Sequence, residues 1–151
     1  MIKGKMILLG QSILPINNQG QFSLPSSMCA ALHNHAFLTQ GFDRNLLLMS
    51  SESFERMYSF IKNTSISDPL ARLLGRLLLG NAVELNIDGS GQIQLTSDFR
   101  EYVGALDKIV LVGQGDYLEI WSPVSWDQQA ISLRDYQANV DRFAKFNLAT
   151  V

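Results

Sequence analysis

The apolar positions of this chain follow one pattern that occurs twice. At Ile16-Asn17-Asn18-Gln19-Gly20-Gln21-Phe22-Ser23-Leu24-Pro25 an apolar residue leads into a polar turn and then into alternation. Phe22 and Leu24 fall on one face and Ser23 on the other, the period-two pattern of a half-buried strand. The order returns at Ile87-Asp88-Gly89-Ser90-Gly91-Gln92-Ile93-Gln94-Leu95-Thr96, with Ile93 and Leu95 inward and Gln94 outward. Asn and Gly in these turns tolerate the positive φ angles that tight turns require.

Each strand then runs into a short helix. Ser26 or Ser27 is placed to cap a helix with Met28, Ala31 and Leu32 as its apolar positions. Thr96 or Ser97 is placed to cap the second, with Asp98 at the positive helix end and Phe99, Val103 and Leu106 buried. Strand runs follow at Ala36-Phe37-Leu38-Thr39 and Ile109-Val110-Leu111-Val112. Turns at 41–45 and 113–116 lead into Leu46-Leu47-Leu48-Met49 and Tyr117-Leu118-Glu119-Ile120-Trp121. Both copies close on a serine-led helix start, Ser50 to Phe54 and Ser122 to Trp126. Two units of about 70 residues that match in this order predict an internal duplication.

Between the copies, Phe54, Met57, Tyr58 and Ile61 predict a helix from about Ser51 to Lys62. Asp68-Pro69 then reads as a cap followed by Pro in the first helical position. Leu70, Leu73, Leu74, Leu77 and Leu78 form an amphipathic stripe, and Arg72 and Arg76 share another face. Ahead of the first turn, Leu8, Leu9, Gly10, Ile13 and Leu14 predict a bent strand, and Pro15 marks an edge or strand end. Lys3 and Lys5 lie in the lead before it. Ile131, Leu133, Tyr136, Val140 and Phe143 suggest a weakly phased helix in the tail. The expected organisation is a first repeat with its following helix over 6–62, a linker helix over 63–82, a second repeat over 83–130 and a tail over 131–151. The two repeats form one unit.

Composition narrows the class. With 151 residues and 46% hydrophobic content, the chain can fill one core. No apolar run approaches the roughly 18 residues of a membrane span, and Met6 to Leu9 is too short for a signal peptide core. A single Cys29 excludes an intramolecular disulfide and suits a cytosolic protein, with the thiol in a structural role.

Net charge is -2, and no Lys or Arg lies between Lys5 and Arg44. The first hairpin and helix therefore lack fixed positive charge, and phosphate contacts there would rest on backbone amides and amide side chains. Little points to an enzyme. His33 and His35 flank Asn34 in a loop without a Cys or carboxylate at metal spacing. Asp43, Asp88 and Asp116 all fall in turns. Gly113-Gln114-Gly115 lacks the third Gly of a dinucleotide site, and no nucleophile elbow is present. No cofactor or metal is expected.

The duplicated turn, Gly, strand and helix, with Arg72-Leu73-Leu74-Gly75-Arg76-Leu77-Leu78-Leu79-Gly80-Asn81-Ala82 between the copies, resembles the MraZ family of bacterial regulators. Phe99-Arg100-Glu101-Tyr102, Val110-Leu111-Val112-Gly113-Gln114 and Leu118-Glu119-Ile120-Trp121 extend the resemblance from about Met6 to Trp126. It implies an α+β fold, mainly β with flanking helices. That fold is a duplicated AbrB-like swapped-hairpin β-barrel with a pseudo-two-fold, each repeat being hairpin, helix, hairpin. It also implies a ring homo-oligomer and DNA as partner. The family binds promoter repeats ahead of the cell-division and cell-wall gene cluster, usually as a repressor. A cytoplasmic, nucleoid-associated protein with no membrane partner is expected, with Asn17, Asn18, Gln19, Gly20 and Gln21 on the DNA.

The departures fall on charge. Where the family turn has Asp-x-x-Gly-Arg, often with Lys before the Gly, this chain has Asn17, Gln19 and Gln21. The second copy keeps Asp88 and Gly91 but has Gln92 for the Arg. Leu8-Leu9-Gly10 aligns with Phe-Arg-Gly. The Arg of the first helix is Cys29, while its counterpart survives as Arg100. Gln can fork onto adenine but carries no charge. Two functions stay open: a DNA-binding transcriptional regulator with altered specificity, or an oligomeric scaffold that has lost DNA binding with its Arg and Lys residues.

Overall fold

A computed structural model describes residues 7–146; Lys3, Lys5 and Met6 of the lead and residues 147–151 of the tail lie outside the described residues. Among the described residues the fold is α+β, with mostly antiparallel strands and six α-helices. Its first part comprises β1 (Gln11–Pro15), β2 (Gln21–Ser23), α1 (Ser26–Ala31), β3 (His35–Gln40), β4 (Leu46–Met49) and α2 (Ser51–Lys62). After α3 (Pro69–Leu78) the same order returns. It comprises β5 (Val83–Asn86), β6 (Gln92–Gln94), α4 (Ser97–Val103), β7 (Lys108–Gly113), β8 (Tyr117–Trp121) and α5 (Pro123–Arg134). A further helix, α6 (Tyr136–Phe143), and a short 3₁₀ turn, Ala144–Phe146, follow.

Local signals explain most of these elements. Ser50, Asp68, Thr96 and Ser122 each accept a backbone amide in the first turn of the helix they precede, which satisfies one of the otherwise unpaired N–H groups there. The first short helix departs from this. Pro25, not Ser26 or Ser27, stands at its N-cap, and no side chain caps it. The α4 helix stops at Gly104, whose φ of +75° ends the helix. Leu106 therefore falls beyond the helix and is 80% exposed rather than buried.

The six-stranded sheet has the order β1-β7-β8-β4-β3-β5, and β2 and β6 form a separate two-stranded ribbon. Replacing each strand by its counterpart in the other part reverses this order onto itself. The first two strands of each part are not hairpin partners. β1 pairs with β7, β5 pairs with β3, and β2 pairs with β6. Each of these strands crosses to the other part, and Pro15 ends the edge strand β1 opposite Lys108.

β4 and β8 meet at the centre, with Leu46 opposite Ile120 and Leu48 opposite Leu118. All four are fully buried, and Ala36, Leu38, Ile109 and Leu111 join them in one core. The other faces of β3 and β7 are covered as well. Phe37 stacks on Phe54 of α2 with ring centroids 4.1 Å apart. Val110, Val112 and Trp121 pack with Trp126 of α5. The Thr39 hydroxyl donates to the Leu78 carbonyl at 2.7 Å, tying α3 to β3. The rest of the α3 stripe is less covered: Leu70 and Leu73 are mostly exposed.

Candidate nucleic-acid interface

The β2–β6 ribbon brings the two matching turns onto one surface element. Gln21 lies opposite Gln94, Phe22 opposite Ile93, and Ser23 opposite Gln92. Phe22 and Ile93 point into the core, so Gln21, Ser23, Gln92 and Gln94 form the outer face. Two further backbone bonds extend the ribbon, Leu24 N–H to Gly91 O and Leu95 N–H to Gly20 O, each 2.8 Å. The antiparallel register places the 17–21 turn at one end of the ribbon and the 88–92 turn at the other.

Within the first turn the five candidate residues have different roles. The Asn17 carboxamide oxygen accepts the amides of Gln19 at 3.0 Å and Gln21 at 2.9 Å, and its Nδ2 donates to Gln21 Oε1 at 3.0 Å. Its side chain is thus engaged in closing the turn. Gly20 is buried with φ +78°, and its amide donates to the Asn17 carbonyl. Asn18 and Gln19 are exposed, and among the described residues their side chains make no hydrogen bond. Gln21 keeps its Nε2 group for an outside acceptor.

The first hairpin and helix carry no Lys or Arg of their own, and positive charge reaches this turn from the other part of the chain. Arg100 of α4 donates from Nη1 to the Asn18 carbonyl at 2.6 Å, from Nη2 to Leu106 O at 2.9 Å and from Nε to Ala105 O at 3.4 Å. The Ile16 amide bonds the Asp107 carbonyl, and exposed Lys108 faces Pro15 across β1 and β7. Gln94 also donates from Nε2 to the carbonyls of Gln19 and Leu95. Sequence distance hid the contacts of Arg100 with Asn18, of Gln94 with Gln19 and of β1 with β7.

The second turn is held by its own acid. Asp88 Oδ1 accepts the Ser90 hydroxyl at 2.5 Å and the Ser90 amide at 3.0 Å. These bonds, hydroxyl first, hold the Asp88 carboxyl below its ordinary value. Cys29 packs beneath this turn, and its thiol donates to the Leu24 carbonyl at 3.6 Å. Burial pushes the Cys29 thiol up, and the nearby Asp88 charge adds to the effect. It is a protonated filler rather than a reactive group.

The histidines also differ from expectation. His33 and Asn34 form a left-handed turn, but His35 opens β3 and does have a carboxylate partner. Its Nε2 lies 2.6 Å from Glu84 Oε2 and its Nδ1 lies 2.6 Å from Ser51 Oγ. This tie joins β3, β5 and α2. Among the described residues no group of three or more His, Cys, Asp or Glu is arranged to hold a metal ion. A cavity of about 700 Å³ beside His35 is lined by apolar Leu8 and Leu32 together with His33, Glu52, Glu55 and Asp116, and Asp116 is paired with Arg56. Among the described residues no helix is long and apolar enough to cross a membrane.

Residues 78–146 match the protein family described as "MraZ protein, putative antitoxin-like". A protein of Thermomicrobium roseum named "Transcriptional regulator MraZ" is 33% identical over 82% of this chain and 87% of its own length. Proteins of the same name from Herpetosiphon aurantiacus and Rhodococcus opacus are 31% and 32% identical. The first covers 85% of this chain and 90% of its own length; the second covers 80% and 84%.

Proposed function

This chain belongs to the MraZ family, and from that premise we propose that it is a sequence-specific DNA-binding transcriptional regulator, not an enzyme, which meets DNA through Asn17, Asn18, Gln19, Gly20 and Gln21. The observation that carries the proposal is the contrast within that turn. Its backbone is fixed by Asn17 and Arg100, while the amide side chains of Asn18 and Gln19 stand exposed and unengaged. Such amides suit the donor and acceptor pair of adenine in the major groove. Lys108 beside the turn supplies a phosphate contact.

The crossed pairing of β1, β2, β5 and β6 supports an AbrB-like swapped-hairpin architecture built from two repeats, 6–62 and 83–130, with a linker helix over 63–82 and a tail over 131–151. Exposed Leu70 and Leu73 on α3 support self-association. A ring homo-oligomer would set several turns against successive promoter repeats, so that weak contacts add through effective concentration. Repression of the cell-division and cell-wall gene cluster, in the cytoplasm at the nucleoid, follows from the family resemblance.

The test is a fluorescence titration with the chain's own upstream promoter and a shuffled duplex at several salt concentrations. Preference for the promoter, with a shallow salt slope, supports the proposal. Equal binding to both overturns it and leaves the oligomeric scaffold.

A further inference from the structure

We propose that Arg100 is a positioning residue that holds the 17–21 turn ready for DNA, and that the missing counterpart at Cys29 leaves the 88–92 turn without this support, so the two turns read DNA unequally. The inference rests on the DNA-contact role proposed for the first turn.

Arg100 and Cys29 occupy matching places, five residues after Leu95 and Leu24. Arg100 projects across the ribbon and ties Asn18 O of one part to Ala105 O and Leu106 O of the other. A planar guanidinium can bond all three carbonyls at once; an ammonium on a flexible stem cannot hold that fork. Cys29 reaches only Leu24 O in its own part. Among the described residues no side chain donates to the Gly89 carbonyl, the counterpart of Asn18 O, and the second turn depends on Asp88 and Ser90 instead. A turn ordered before binding loses less entropy on binding. With three of its N–H donors on backbone carbonyls, Arg100 serves the turn rather than a phosphate.

Two readouts on the full chain test this, with Arg100→Lys and Arg100→Gln as variants and a thermal melt to check that both fold. The first uses no DNA: amide hydrogen exchange of residues 17–21 should accelerate about tenfold in both variants, with 88–92 unchanged. Exchange unchanged at 17–21 overturns the holding role. The second is promoter titration against salt. Both variants should lose about tenfold in affinity, and Arg100→Gln should keep the salt slope of the unchanged chain. A slope shallower by about 0.9 marks a direct phosphate contact and overturns the inference. If the unchanged chain shows no promoter preference while the exchange effect persists, the function proposal fails and the backbone clamp stands alone.

Discussion

Gly20 lies so close to Leu95 that an added Cβ would stand 2.7 Å from the Leu95 carbonyl oxygen, and Leu95 returns its amide to Gly20 O at 2.8 Å. Gly91 repeats the relationship with Leu24: the Cβ would stand 2.5 Å from Leu24 O, and Leu24 donates to Gly91 O. Each turn is thereby fastened to the strand leaving the other. Both glycines have positive φ, +78° and +71°.

Alanine at either site meets backbone that cannot step aside. Left-handed φ costs about 1–2 kcal/mol for a residue with a Cβ, and the overlap adds to it. Gly20→Ala and Gly91→Ala should each lose about 2–4 kcal/mol in urea unfolding. Gly89→Ala, where nothing lies within 4 Å of the new Cβ, should stay within about 0.5 kcal/mol of the unchanged chain.

Gln21→Arg restores a cation on the outer face of the ribbon. DNA affinity should rise and the salt slope should steepen by about 0.9, one added phosphate contact. If neither changes in a titration from low to moderate salt, β2 does not face the duplex.

Asp88 links the second turn to pH. Its carboxyl is held low in the folded chain, chiefly by the Ser90 hydroxyl and then by the Ser90 amide. A depressed folded value means that the stabilising contribution is present above the ordinary carboxylate range and is lost as pH falls through the lower folded value. The urea midpoint should fall on acidification across that window. Asp88→Asn should show a shallower fall, and parallel profiles would remove Asp88 from the account.

Leu48→Ala tests whether the two parts share one core. Leu48 is fully buried opposite Leu118, so truncation should cost about 2–5 kcal/mol. Both tryptophans, Trp121 and Trp126, lie in the other part. Their fluorescence should nevertheless report the full shift in one transition. A tryptophan signal that ignores the substitution would mean the parts melt separately.

Short apolar runs bounded by turn residues made Leu46–Met49 and Tyr117–Trp121 legible at their observed bounds, and the cap signals at Ser50, Asp68 and Ser122 located three helices. These features are local, and local chemistry decides them. Pairing is not local. Nothing in Gln11–Pro15 names Lys108–Gly113 as its partner, because the choice depends on faces brought together only in the folded core. The same limit hid the charge beside the first turn, since Arg100 arrives from far along the chain. Asn17 was legible as a turn residue, but the engagement of its side chain with Gln19 and Gln21 required coordinates. The α3 stripe predicted a buried face that this chain alone leaves largely open at Leu70 and Leu73.

The crossed strands also set an order for synthesis. β1 leaves the ribosome early but has no partner until β7 emerges, and β4, which can pair at once with β3, lacks its other neighbour until β8 follows. Contacts this distant in sequence form late and slowly. The amino-terminal part therefore cannot finish as a folded piece during translation, and the emergence of Lys108–Trp121 is the event that lets the whole sheet assemble.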